Sequence, residues 1–297
     1  MPPEQTDPQH DVRRVSANDV DFAYLAAGDS GPLALCLHGF PDSAHSWRHL
    51  LPALADAGFR AVAPFMRGYA PTAVPTDARY QTGALATDAV ALHEALGGDG
   101  SAVIIGHDWG AAATVGAAML EPLRWSKVVT LAVPPGGALG RAFLGNTDQL
   151  KRSWYMFFFQ LGLADFVVAN DDLAFIDMIW RDWSPGYDAT QDLALLKPSL
   201  RDPANLAAAL GYYRALFGAV PHDPALADAQ AAGGGMPTQP LLYLHGHDDD
   251  CIGREVVEDA RAEVGSNVTI EVVDGAGHFL HVERPDVVNA RILEFLS

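Results

Sequence analysis

Apolar residues follow two alternating rhythms along this chain. Continuous runs at "LALCLHG" (33–39), "FRAVAPF" (59–65), "SAVIIG" (101–106) and "SKVVTLAV" (126–133) have the length and β-branched content of buried parallel strands. Between them, "SAHSWRHLLPALADAG" (43–58), "GALATDAVALHEALGG" (83–98) and "GAAATVGAAMLE" (110–121) carry apolar residues at helical spacing, the first stopped by Gly58. "DVDFAYLAAG" (19–28) reads as an edge strand. Strands alternating with helices predict a mostly parallel sheet joined by right-handed crossovers.

The rhythm breaks after "PPGG" (134–137). Residues 138–222 show no strand pattern, yet hold over half of the chain's Phe, Tyr and Trp residues. The strand pattern resumes at "PLLYLHG" (240–246) and "VTIEVVDG" (268–275), and "RPDVVNARILEFL" (284–296) closes as a helix. The expected organisation is therefore one α/β core in two parts, 1–137 and 223–297, interrupted by a helical lid at 138–222. "AQAAGGGMPTQP" (229–240) reads as the hinge back into the sheet. No internal repeat is visible.

Composition narrows the function classes. A formal charge of −18 on 297 residues disfavours nucleic acid and anionic membranes as partners. No run of about 18 apolar residues is present, and "MPPEQTDPQHD" does not read as a signal peptide, so a cytoplasmic protein is expected. Cys36 and Cys251 are too few for a disulfide framework and read as reduced core or near-core thiols.

The candidate chemistry sits in "VIIGHDWGAA" (103–112), where a strand runs into a small-x-acid-x-small turn and then a helix. That is the layout of a nucleophile elbow: Gly106 and Gly110 relieve a turn too tight for β-carbons, and Asp108 stands at a helix N-terminus that favours negative charge. An ionised carboxylate exposed at the top of the sheet is expected.

Around this elbow, "HGFPDSAHSWR" (38–48), "RGYAPT" (67–72), "HGHDDDC" (245–251) and "GAGHFLHVERP" (275–285) occur in fixed order. With the elbow, this set resembles the α/β-hydrolase superfamily over nearly the whole chain, in particular its epoxide hydrolase and haloalkane dehalogenase branch. The carboxylate fits that branch chemically. A serine attacking saturated carbon would leave an ether that water cannot cleave, whereas a carboxylate leaves a hydrolysable ester.

The resemblance implies an acid and a base in chain order after the nucleophile. His278 is the implied base, and His281 reads as structural or exposed. Asp249 is the favoured orienting acid, three residues after Gly246, with Asp248 the alternative and Asp250 a solvated loop charge. Backbone N–H groups of Phe40 and Trp109 are the implied oxyanion donors.

Lid segments "RSWYMFFFQ" (152–160) and "LGYYRALF" (210–217) resemble those of epoxide hydrolases, which makes Tyr155 and Tyr213 the implied pair that polarises the epoxide oxygen. Tyr212 is the neighbour that could exchange with Tyr213. His38, Pro41, Trp154, Phe158, Tyr212 and Phe279 are the implied substrate-pocket residues. No cofactor or metal is expected, since His45, His49, His107, His245 and His247 show no ligand spacing, and His107 is expected to point away from the pocket.

The expected function is hydrolysis of a small, largely apolar epoxide to a vicinal diol. Haloalkane dehalogenation is the alternative, with Trp109 and Trp154 as indole donors, and a ligand-binding protein of the same fold is a third reading. Oligomeric state is open, with a homodimer among the options.

Overall fold

Eight strands form one sheet in the order β1-β2-β4-β3-β5-β6-β7-β8. They are β1 (Arg13–Ala17), β2 (Val20–Ala27), β3 (Leu33–Leu37), β4 (Arg60–Pro64), β5 (Val103–His107), β6 (Lys127–Leu131), β7 (Leu241–Gly246) and β8 (Val268–Val273). The computed structural model describes residues 12–297; the opening "MPPEQTDPQHD" lies outside them. Pairings from β4 through β8 are parallel, whereas β1 and β2 are antiparallel to their neighbours.

The expected edge strand is not the edge. β2 is covered by β1, whose "RRVSA" carries little apolar signal because an edge strand needs only one apolar contact face. The hairpin between them turns on Asn18 and Asp19, both at positive φ (47° and 59°). Asn and Asp tolerate that conformation, so the two-residue turn is the cue that marks β1.

Every residue of β3, β5 and β7 is buried, as central strands covered on both faces require. Helices α1 (Leu50–Asp56), α2 (Thr82–Ala95) and α3 (Trp109–Leu120) follow β3, β4 and β5. The "SAHSWRH" part of the first expected helix is instead a 3-10 turn, Ala44–His49, ahead of α1.

Between β6 and β7 every regular element is a helix. It forms α4 (Ala138–Gly145), α5 (Thr147–Arg152), α6 (Trp154–Phe158), α7 (Leu163–Trp183), α8 (Thr190–Leu196), α9 (Pro203–Leu216) and α10 (Ala227–Ala232). α7 is broken at Asn170–Leu173, where Asp171, Asp172 and Leu173 adopt left-handed backbone. α10 overlaps the start of the stretch read as a hinge and packs on α2 and α3. A β-carbon at Gly83 would lie 2.7 Å from the Gln230 nitrogen, so glycine permits that approach. Helices α11 (Arg254–Arg261), α12 (Leu280–Glu283) and α13 (Pro285–Leu296) complete the chain. Among the described residues, no helix is long and apolar enough to cross a membrane.

Candidate active site

The turn between β5 and α3 sets the geometry. Asp108 has φ 52° and ψ −118°, a conformation that is costly for any residue with a β-carbon. The strain is held by close packing: a β-carbon at Gly106 would collide with the Gly110 carbonyl, and one at Gly110 with the Leu37 carbonyl. Gly39 is needed for the same reason, since a β-carbon there would occupy the space of the Asp108 carboxylate.

Asp108 is 6% exposed, so the expectation of an exposed carboxylate is corrected. Residues of the inserted helices, among them Tyr155 and Met156 of α6 and Leu216 of α9, line the space beside it. Its Oδ1 accepts the Phe40 N–H at 2.7 Å, and its Oδ2 lies 3.7 Å from His278 Nε2. Trp109, the first residue of α3, is buried beside it.

His278 enters from the loop between β8 and α12, and its Nδ1 donates to Asp249 Oδ2 at 3.0 Å. Asp249 is held in turn by the N–H groups of Cys251 and Ile252, which donate to Oδ1 at 2.7 and 2.9 Å. Burial opposes ionisation of Asp249, but His278, His245 and the backbone donors outweigh it and hold the carboxyl below its usual range. Burial likewise opposes charge on His278, yet Cys251, Asp249 and Asp108 around it leave the imidazole well above the usual histidine range. Asp248 pairs with His247 and Asp250 with Arg152, both at the surface, so geometry singles out Asp249 from the three carboxylates.

The base loop is anchored to the helical insertion. The Trp183 carbonyl, at the end of α7, accepts the N–H groups of His278 (3.0 Å) and Asp250 (3.4 Å), and thus fastens the loops that carry His278 and Asp249. Glu283 accepts from Ser184 Oγ at 2.5 Å and from the Gly277 N–H at 2.8 Å. Neither Ser184 nor Glu283 stands out in the sequence, because their pairing spans 99 residues and depends on how the insertion docks.

Tyr155 and Tyr213 are fully buried, their rings 5.6 Å apart edge to face. Burial raises both phenols well above their usual range, and the nearby Asp108 charge adds to the rise. Among the described residues the Tyr213 hydroxyl has no hydrogen-bond partner; that of Tyr155 lies 3.5 Å from Cys251 Sγ. The Tyr212 hydroxyl donates to the Arg67 carbonyl at 2.8 Å and so faces away from Asp108, which removes it as the alternative to Tyr213.

Asp108 opens on a cavity of about 400 Å³ lined by Trp109, Tyr155, Cys251 and Ile252, and farther out by residues of α3, α4, α9 and the loop after β6. None of the six implied pocket residues lines it. His38 accepts the Met66 N–H at Nε2, and the Pro41 carbonyl accepts from the Trp180 indole at 2.8 Å, so both serve the loop's own packing. Phe279 stacks on Trp180 at 3.5 Å. Trp154 is half exposed and Phe158 half buried, both packed against Phe175 on the outer side of the insertion. An aromatic-rich helix displays more rings than one cavity can take, and most of these bind the insertion together.

Cys251 is the wall residue that composition hides as a core thiol. Both cysteines are free and buried, and burial pushes the Cys251 thiol up. A second buried cluster lies behind the base. His107 Nε2 donates to the His278 carbonyl at 3.0 Å, while its Nδ1 and His281 Nε2 lie 3.8 and 3.7 Å from Asp42 Oδ2. These atoms are close enough to share one ion, as are those of Asp249, Cys251 and His278. Spacing along the chain does not reveal either group, because each brings together residues far apart in the sequence. His281 is correspondingly buried, against the Trp47 ring.

Comparison with known proteins agrees with this architecture. Residues 32–285 match the family model described as alpha/beta hydrolase fold. Epoxide hydrolase A of Mycobacterium tuberculosis is 33% identical over 96% of this chain and 97% of its own. Human epoxide hydrolase 4 is 29% identical over 97% of this chain and 79% of its own. The crystal structure of Bacillus megaterium epoxide hydrolase in complex with an inhibitor superposes with a TM-score of 0.80 at 26% identity, covering 96% of this chain and 99% of that one. The chain belongs to the α/β-hydrolase family, on its epoxide hydrolase branch.

Proposed function

We propose that the protein hydrolyses an epoxide to a vicinal diol through a covalent ester on Asp108. The carboxylate attacks an epoxide carbon while Tyr155 and Tyr213 donate to the ring oxygen, and the carbon–oxygen bond of the ring breaks as the ester forms. A water molecule then attacks the ester carbonyl carbon, deprotonated by His278, with Asp249 stabilising the imidazolium. The Phe40 and Trp109 N–H groups receive the oxyanion, and collapse releases the diol and restores Asp108. The relatives are themselves named epoxide hydrolases, which supports this reading.

The observation that carries the proposal is the carboxylate at the elbow, 2.7 Å from the Phe40 N–H and 3.7 Å from the His278 imidazole, beside two buried phenols. Alkylation also supplies its own timing. Before reaction, two carboxylates hold the His278 proton; once Asp108 becomes a neutral ester, one is gone and the proton affinity falls, which frees the base when water must be activated.

Dehalogenation fits less well, because a departing halide needs N–H donors and Trp154 does not reach the cavity. Incubation with an aryl epoxide and, separately, with a haloalkane tests the reading. Diol from the epoxide is expected; halide release alone, or tight binding with no product, would replace the proposal by a dehalogenase or a ligand-binding protein.

A further inference from the structure

The cavity beside Asp108 changes character along its length. One wall follows α3 from Asp108 through Ala111 and Ala112 to Val115, about two helical turns or about 10 Å. The facing walls are apolar: Val133, Leu139, Phe143, Met156, Leu216 and Phe217. Apart from the catalytic group and its neighbours Trp109, Tyr155 and Cys251, the polar side chains in the wall are Thr82 and Gln230. Both belong to the Val115 end. A β-carbon at Gly233 would stand 3.0 Å from Thr82 Cγ2, and one at Gly116, next to Val115, would stand 3.6 Å from the Gly233 Cα.

Gln230 is held in one orientation. Gly83 lies in the first turn of α2, where a backbone N–H has no partner within the helix, and it donates to Gln230 Oε1 at 2.9 Å. An N–H can only donate, so the amide cannot flip without losing that bond. Its Nε2 is left with two N–H donors and no partner among the described residues. The side chain is half buried, so an alkyl group passing over it would strip its water and return nothing.

We propose that the Thr82–Gln230 end of the cavity is a subsite for a hydrogen-bond acceptor on the tail of the substrate. The substrate class is then an epoxide bearing an extended apolar chain of roughly eight non-hydrogen atoms that ends in a carbonyl or ether oxygen. This inference rests on the hydrolase reading above. An acceptor in place satisfies the Gln230 donors, and a bare alkyl tail leaves them unpaired; the difference corresponds to roughly five- to tenfold in kcat/KM.

The test compares three substrates: an aryl epoxide with no tail, a terminal epoxyalkane, and the methyl ester of a terminal epoxy fatty acid with the same number of chain atoms. The ester is expected to be preferred over the alkane by roughly five- to tenfold. Gln230→Glu keeps the acceptor for the Gly83 N–H but replaces the donors by oxygen, so that preference should vanish while the rate on the aryl epoxide stays within about twofold. Thr82→Val should reduce the preference without abolishing it. Turnover of the aryl epoxide with equal kcat/KM on the two long substrates, or a preference unchanged in Gln230→Glu, would overturn the subsite alone. Absence of diol from all three would overturn the hydrolase reading and the subsite with it.

Discussion

His278 Nε2 stands 3.7 Å from Asp108 Oδ2, beyond hydrogen-bond reach and close enough for strong electrostatic coupling. The two side chains share no hydrogen bond, so in the proposed mechanism each is available for a different half of the reaction. Separate failures of the two halves should therefore be visible.

His278→Gln removes the base and leaves the nucleophile. Epoxide consumption should stop after one equivalent, and the protein mass should rise by the mass of the substrate, with the adduct on the Asp108 peptide. Asp108→Ala should give no adduct and lose at least about a thousandfold in rate. An unmodified, still active His278→Gln protein would remove His278 from the mechanism.

Asp108 stores strain that its replacement should reveal. At φ 52° a β-carbon is costly, so Asp108→Gly should be more stable than Asp108→Ala by about 1 kcal/mol, since both lose the same bond to the Phe40 N–H. Urea unfolding of the two inactive variants measures the difference. Equal stabilities would mean that the elbow is not strained.

In the proposed mechanism Glu283 and Ser184 act as positioning residues for the His278 loop. Glu283→Ala frees the Gly277 N–H and the Ser184 hydroxyl, and should lower the ester-hydrolysis rate by about ten- to a hundredfold while the first, alkylating phase keeps its amplitude. Glu283→Gln, whose Oε1 can still accept the Gly277 N–H while its Nε2 donates to the Ser184 hydroxyl oxygen, should restore most of the rate. Stopped-flow measurement of both phases distinguishes this from a general loss of folded protein, which would lower the amplitude.

The His278 ion pairs also predict a pH effect on stability. The folded-state pKa of His278 is raised above its ordinary 6.5, so the contribution is fully present below pH 6.5 and fades as pH rises through the folded value. The stability difference between the native chain and His278→Gln should shrink as pH climbs from 6.5 into the alkaline range. A difference that is constant with pH would show that the imidazole carries no extra proton.

The fold was legible because buried parallel strands leave continuous runs such as "VIIG", and an elbow leaves glycines where only glycine fits. β1 was not, since an exposed edge pair such as Arg13 and Arg14 gives no apolar alternation. Asp108, His278 and Asp249 each lie at the end of a strand, where order along the chain indicates proximity in space. The cavity wall has no such guide. Val133, Leu139, Phe143 and Leu216 face one another only because the insertion docks at a particular angle, and an apolar residue that lines a cavity looks in sequence like one that fills a core. Trp154 and Phe158 illustrate the reverse case, rings beside Tyr155 in sequence that do not line the cavity.

The measurement that bears most directly on the covalent route is oxygen tracing in a single turnover, with protein in excess over epoxide in heavy-oxygen water. The account predicts an unlabelled diol, because its new oxygen comes from the Asp108 carboxylate, and label appearing in the peptide that contains Asp108. A diol labelled in that first turnover, with no label in the peptide, would show that water attacks the epoxide directly and would contradict the account.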